Sequence, residues 1–136
     1  ARTIYLENLD ILKFDSLNLD CVTYVHDSSL VHPSVKLGKG VGIYAFNLIA
    51  ANAVIGNHTF IDAYCLVGHD TTIGDNCLMR SGTMIAGKNK IGKNTVFNLK
   101  SAATNKIEIC DFLSFLDCDS IHRTFLLIFL LVHLCL

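Results

Sequence analysis

Apolar residues recur along this chain at a fixed step of six. From Ile73 the register runs back through Val67, Ile61, Ile55, Ile49, Ile43, Leu37, Val31 and Val25. It runs forward through Met79, Ile85, Ile91, Phe97, Ala103, Ile109, Phe115 and Ile121. Four residues after most of these stands a small or β-branched residue, as at Val35, Val41, Ala53, Thr59, Cys65, Thr71, Cys77, Thr83, Thr95 and Ser101. Asn47, Asn89, Ile107, Leu113 and Asp119 depart from that second pattern. A longer period overlies the first: Leu-Gly at Leu37 and Ile-Gly at Ile55, Ile73 and Ile91 repeat every eighteen residues, so three hexads form one unit.

A period of six fits neither a helix nor a lone alternating strand. It fits an all-β solenoid in which each hexad is a short strand plus a corner. The aliphatic residue and the small residue four later are the predicted inward positions. Five turns stacked at about 4.8 Å would form a prism roughly 25 Å tall. The glycine after the aliphatic residue is expected at a corner that uses its tolerance of positive φ. Pro33, the only proline, also falls at a corner, where its fixed φ is harmless.

Against this frame His69 and Asp70 stand out. His69 lies two residues after Val67, at neither inward position, so it is predicted to point out of the prism and is not explained as core filling. His26 and His32 follow inward aliphatic residues in successive hexads and read as outward corner residues. His58 follows Ile-Gly-Asn and is a further candidate for the cleft of His69. Lys88, Lys90 and Lys93 read as solvated corners, with a role in meeting cofactor phosphates left open.

Four stretches carry a family resemblance: SLVHPSVKLGKG at 29–40, IGNHTFID at 55–62, GHDTTIGDN at 68–76 and IAGKNKIGKN at 85–94. Residues 31–111 resemble the hexapeptide-repeat acyltransferases. Among these they are most similar to bacterial sugar acetyltransferases of the sialic acid O-acetyltransferase and nucleotide-amino-sugar N-acetyltransferase kind. The resemblance implies a left-handed parallel β-helix, against the usual right-handed crossover, assembled as a homotrimer. It implies an acetyl group moved from acetyl-CoA to a hydroxyl or amine of a sugar or nucleotide-sugar, on the way to a surface polysaccharide. His69 would be the general base and Asp70 its acidic helper. Such chemistry suits an imidazole, which titrates near neutrality, and a neighbouring carboxylate, which favours the imidazolium. Gly87 matches a position whose backbone meets the cofactor thioester, and Leu99 keeps an aliphatic cofactor contact. Leu78 stands where the resembled enzymes place a cofactor-contacting histidine, and Asp117 where they have a glycine. The cofactor is expected between neighbouring protomers, and no metal is expected.

Composition narrows the remaining classes. The formal net charge is −1 with no polybasic run, which leaves no electrostatic footprint for nucleic acid. Six cysteines without a CxxC pair argue against zinc or redox chemistry and for a reducing cytoplasm. Cys65 and Cys77 fall on inward small positions, where a free thiol packs as a small apolar group. No signal peptide opens the sequence, and no apolar run is long enough to span a bilayer. Three segments are expected. Residues 1–24 would be a remnant or short form of a sugar-binding domain, and 25–121 the β-helix. The apolar segment 122–136 would cap the solenoid or make a trimer contact, with an interfacial membrane anchor and a terminus altered relative to the family as the other options. Two alternatives to the transferase are a catalytically inactive trimeric scaffold and a zinc enzyme similar to the γ-class carbonic anhydrases. The latter needs His69 plus histidines recruited across an interface.

Overall fold

The computed structural model describes residues 21–115 and 120–121. The expectations for 1–20, for Asp117 and Asp119 and for 122–136 fall outside these residues. Two-residue strands follow one another every six residues from Tyr24–Val25 to Ser120–Ile121. They form three parallel sheets of six, six and five strands, in which each strand pairs with the one eighteen residues on, as in Val67↔Ile85 and Ile73↔Ile91. The chain is a left-handed parallel β-helix of about five turns. The first sheet includes Phe60–Ile61 and Leu78–Met79, the second Leu66–Val67 and Met84–Ile85, and the third Thr72–Ile73 and Lys90–Ile91.

Why the hexad folds this way is visible in the core. The second residue of each strand points inward, so Ile43, Ile49, Ile55, Ile61, Val67, Ile73, Met79 and Ile85 stack on one another and are fully buried. The small residue four later, such as Ala53, Cys65 or Cys77, fills the space at the inner corner. Both thiols are free, and burial pushes each up to about 11. That keeps them as protonated, apolar filling.

Asn47 and Asn89, exceptions to the small-residue pattern, are buried and fully used. The Asn47 amide donates to the Tyr44 carbonyl at 2.8 Å, and its Oδ1 accepts from Cys65 N–H at 2.7 Å. Asn89 repeats this with Ala86 at 2.9 Å and Ile107 N–H at 2.7 Å. Each side chain ties its own corner to the next coil, which satisfies buried backbone groups that the strands leave open.

The glycine expectation needs correction. Gly38, Gly56, Gly74 and Gly92 do not take positive φ; that conformation falls two residues later, at Gly40, His58, Asn76 and Asn94. At these positions glycine is needed instead because the coils touch there. A Cβ on Gly56 would lie 2.4 Å from the Gly74 carbonyl carbon and 2.5 Å from Asp75 N.

The outer faces differ in polarity. The second sheet presents Leu30, Leu48, Leu66, Met84 and Ala102 outward, whereas the third presents Lys36, Val54, Thr72, Lys90 and Glu108. The Lys90–Glu108 pair at 2.8 Å is exposed on both sides and contributes little to stability.

Candidate active site

The corner between the second and third sheets is assembled from identical positions on successive coils. Val67 turns inward and closes its strand, Gly68 lets the chain pass tightly over Ala86 and Gly87, and His69 then projects outward with 56% of its side chain exposed. Asp70 adopts φ +56°, a left-handed conformation that short polar side chains tolerate, and this swings its carboxylate back beside the imidazole. Asp70 Oδ2 lies 2.8 Å from His69 Nδ1. A carboxylate can only accept, so in the neutral ring this contact assigns the proton to Nδ1 and leaves the Nε2 lone pair open.

Gly87 lies directly beneath the ring. A Cβ there would come within 2.8 Å of Nε2, so any larger residue would displace the imidazole. The opposite Asp70 oxygen, Oδ1, accepts from Asn52 Nδ2 at 3.0 Å. The His69 hydrogen bond first, and the Asn52 amide second, hold the Asp70 carboxyl below its ordinary value, with Lys88 adding a smaller charge effect. An apolar groove of about 580 Å³ runs along the second sheet past Leu66, Met84 and Ala102 and reaches this corner at Ala86 and Asn105.

The structure therefore brings together His69, Asp70 and Gly87. It does not bring Leu78 or Leu99 to them within one chain. Leu78 lies on the first sheet, and Leu99, 43% exposed, follows Phe97 at the corner between the first and second sheets. His58 stands at the corner between the third and first sheets, so the expectation that it shares the cleft of His69 is not met; two-thirds of a coil separates them. His26 and His32 are outward corner residues whose Nδ1 atoms pair with Ser28 and Ser34 at 2.9 and 2.8 Å. The three lysines do not form one patch: Lys90 pairs with Glu108, Lys93 lies 3.2 Å from Asp75, and Lys88 alone stands beside Asp70. Among the described residues no group of three or more His, Cys, Asp or Glu could hold a metal ion, and no helix is long and apolar enough to cross a membrane. Asn52 belongs to the site although no motif marks it in the sequence; its place one coil before Asp70 is the signal that points to it.

A prediction follows from the depressed Asp70 carboxyl. A group whose folded pKa lies below its unfolded value contributes stability above the unfolded pKa of about 3.9 and loses it as pH falls through the folded one. Thermal melts of wild type and Asp70→Asn, run from about pH 7 to about pH 2.5, should differ slightly near neutrality and converge in acid. A gap that persists at the acid end would show that the ionised carboxylate is not what the contact uses.

Residues 52–87 match the family described as bacterial transferase hexapeptide (six repeats), which bears out the repeat resemblance over the stretch that holds His69, Asp70 and Gly87. No curated protein matches the chain in sequence. Among solved structures, the chain is similar to PerB, the GDP-perosamine N-acetyltransferase of Caulobacter crescentus, solved with CoA and GDP-perosamine. The TM-score is 0.84 at 24% identity, over 88% of this chain and 59% of that one. The acetyltransferase domain of PglB from Neisseria gonorrhoeae gives a TM-score of 0.65 at 15% identity, over 87% and 62%. Arabidopsis UDP-N-acetylglucosamine acyltransferase gives 0.51 at 16% identity, over 69% and 49%. The chain thus spans about half to three-fifths of the length of these proteins, and at such identities the likeness establishes the shared fold.

Proposed function

We propose that this β-helix is the catalytic part of an acetyl-CoA-dependent sugar acetyltransferase acting on a hydroxyl or amine of a sugar or nucleotide-sugar. The observation that carries the reading is the exposed His69–Asp70 pair, set on a coil that matches the hexapeptide transferases and held through Nδ1 so that Nε2 keeps its lone pair. Support for the substrates comes from the PerB structure, which holds CoA and a nucleotide-linked amino sugar.

In this reading His69 Nε2 takes the proton from the acceptor amine or hydroxyl as its nitrogen or oxygen attacks the thioester carbonyl. The Asp70 carboxylate steadies the imidazolium, and the Gly87 N–H, on the coil beneath the ring, donates to the tetrahedral oxyanion. Collapse breaks the carbon–sulfur bond, and the imidazolium returns its proton to the departing CoA sulfur. The groove along Leu66 and Met84 offers an apolar track to the same corner. Leu78 and Leu99, facing away from His69, contact the cofactor from a neighbouring chain, so the working unit is a homotrimer with the cofactor between protomers. Heterologous contacts of one prism face on another close in this way, and the outward Leu30, Leu48 and Met84 supply apolar surface for them. The free thiols among the described residues, Cys21, Cys65, Cys77 and Cys110, suit a reducing cytoplasm.

Calorimetric titration of acetyl-CoA into the purified protein, together with its mass in solution, tests the proposal. Saturable binding by a trimer is expected, followed by acetyl transfer to a nucleotide-linked amino sugar. A well-folded trimer that binds no acetyl-CoA would overturn it in favour of the scaffold.

A further inference from the structure

The geometry points to Asn52 as a positioning residue that aims the Asp70 carboxylate at His69. This inference rests on the transferase reading of that pair. Asn52 and Asp70 occupy the same place in successive coils and share one backbone conformation, with φ +60° and +56°. Their Cα–Cβ bonds are therefore parallel, and the two side chains stack at the strand spacing. The carboxylate is held at both ends: Oδ1 accepts from Asn52 Nδ2 at 3.0 Å, and Oδ2 meets His69 Nδ1 at 2.8 Å. Rotation of the carboxylate out of this plane breaks both contacts at once. A lone Asp70 exposed to water has no such restraint.

Asn52 is itself held. Its backbone N–H donates to Ser34 Oγ at 2.8 Å, and the same hydroxyl pairs with His32 Nδ1 at 2.8 Å. The corner thus carries a continuous chain of polar contacts from His32 through Ser34, Asn52 and Asp70 to His69. Packing does not account for Asn52, which is exposed. Its tolerance of left-handed φ accounts for an asparagine at the corner but not for the amide meeting a carboxylate. Asn76 Nδ2 donates to Asn94 Oδ1 at 2.7 Å in the same stacked way at another corner, where the residue before each asparagine is Asp75 or Lys93 and not a histidine. The stacking is thus general to the fold, and its use at 52 and 70 is particular. The side chain must be an amide or another donor there, because a second carboxylate would repel the first.

Two variants of the full chain separate this role from a purely structural one. Asn52→Gly removes the amide while keeping a residue at ease with positive φ. Asn52→Asp keeps the shape and puts like charges face to face. Nitrogen-15 NMR of the imidazoles reports the His69 tautomer without any acceptor sugar, the His69 signals being assigned by their loss in His69→Ala. Wild type is expected to show the Nδ1–H form. In Asn52→Gly that form should lose population, and kcat should fall about tenfold, the worth of one hydrogen bond to a charged group, with the KM for acetyl-CoA unchanged. Asn52→Asp should fall further. A wild-type tautomer in both variants would overturn the positioning role even if transferase activity is present. A shifted tautomer in a protein that transfers no acetyl group would uphold the role of Asn52 and overturn the transferase reading.

Discussion

His69→Ala is expected to lower kcat for acetyl transfer by about 10²- to 10⁴-fold, the usual contribution of a positioned general base. Acetyl-CoA affinity and melting temperature should stay close to wild type. The reason for that separation is geometric. The imidazole stands outside the prism, more than half exposed, with the Asp70 carboxylate 2.8 Å from its Nδ1. Removing it takes nothing from the stack of Val67, Ile85 and their neighbours that holds the coil. Asp70 keeps its hydrogen bond to Asn52, so the corner retains its shape. The measurement is the rate of CoA release with a nucleotide-linked amino sugar as acceptor, beside a thermal melt. An unchanged rate would remove His69 from the mechanism. A lost rate with a lost melt would instead make His69 structural, which its exposure argues against. Asp70→Asn should fall short of the full effect, since the imidazole remains and loses only the partner that favours its charged form.

Most of the fold was legible because a solenoid makes distant contacts periodic. In the β-helix the neighbours of Ile73 are Ile55 and Ile91, eighteen residues away on either side, and the same step can be read in the chain without coordinates. The repeat also made the core of the site legible: His69 and Gly87 are one coil apart, so they share a corner. The step that exposed those contacts also separates Leu78 and Leu99 from His69, since neither stands a whole coil from it. Features that escaped the sequence depend on backbone angles and on side-chain reach. The glycines after the aliphatic residues looked like positive-φ corners. The positive-φ position carries mostly Asn, Asp, Lys, His and aromatic residues, with glycine there at 40 and 82, and the glycines after the aliphatic residues mark where two backbones touch. Asn47 and Asn89 looked like failures of the inward pattern until their amides were seen to bridge coils. His58 resembles His69 in being an outward corner histidine, yet it belongs to a different edge of the prism.

Gly68→Ala should produce the largest combined loss of stability and activity among single small substitutions. Gly68 lies between the buried Val67 and His69. A Cβ there would sit 2.4 Å from both the Ala86 carbonyl carbon and Gly87 N, and 2.8 Å from the Ala86 oxygen. These are backbone atoms, so no side chain can turn away, and the two coils must part. Overpacking of this kind costs about 1–3 kcal/mol and more when backbone is displaced, which for a chain of this length lowers the melting temperature by roughly 4 °C per kcal/mol. The Gly68 N–H bond to the Ile85 carbonyl, 2.7 Å long, would stretch with it. The displacement falls where Gly87 underlies the His69 ring, so kcat should drop as well, in protein held well below its melting temperature. Gly56→Ala supplies the comparison. It meets the Gly74 carbonyl carbon at the same 2.4 Å, at the corner between the third and first sheets. It should cost similar stability while leaving the His69 corner intact and kcat near wild type. Thermal melts and rates on the two variants separate the effects: Gly68→Ala with a wild-type melt would refute the close-contact account of these glycines. Equal rate losses in both variants would show instead that activity follows the stability of the coil rather than the contact beneath His69.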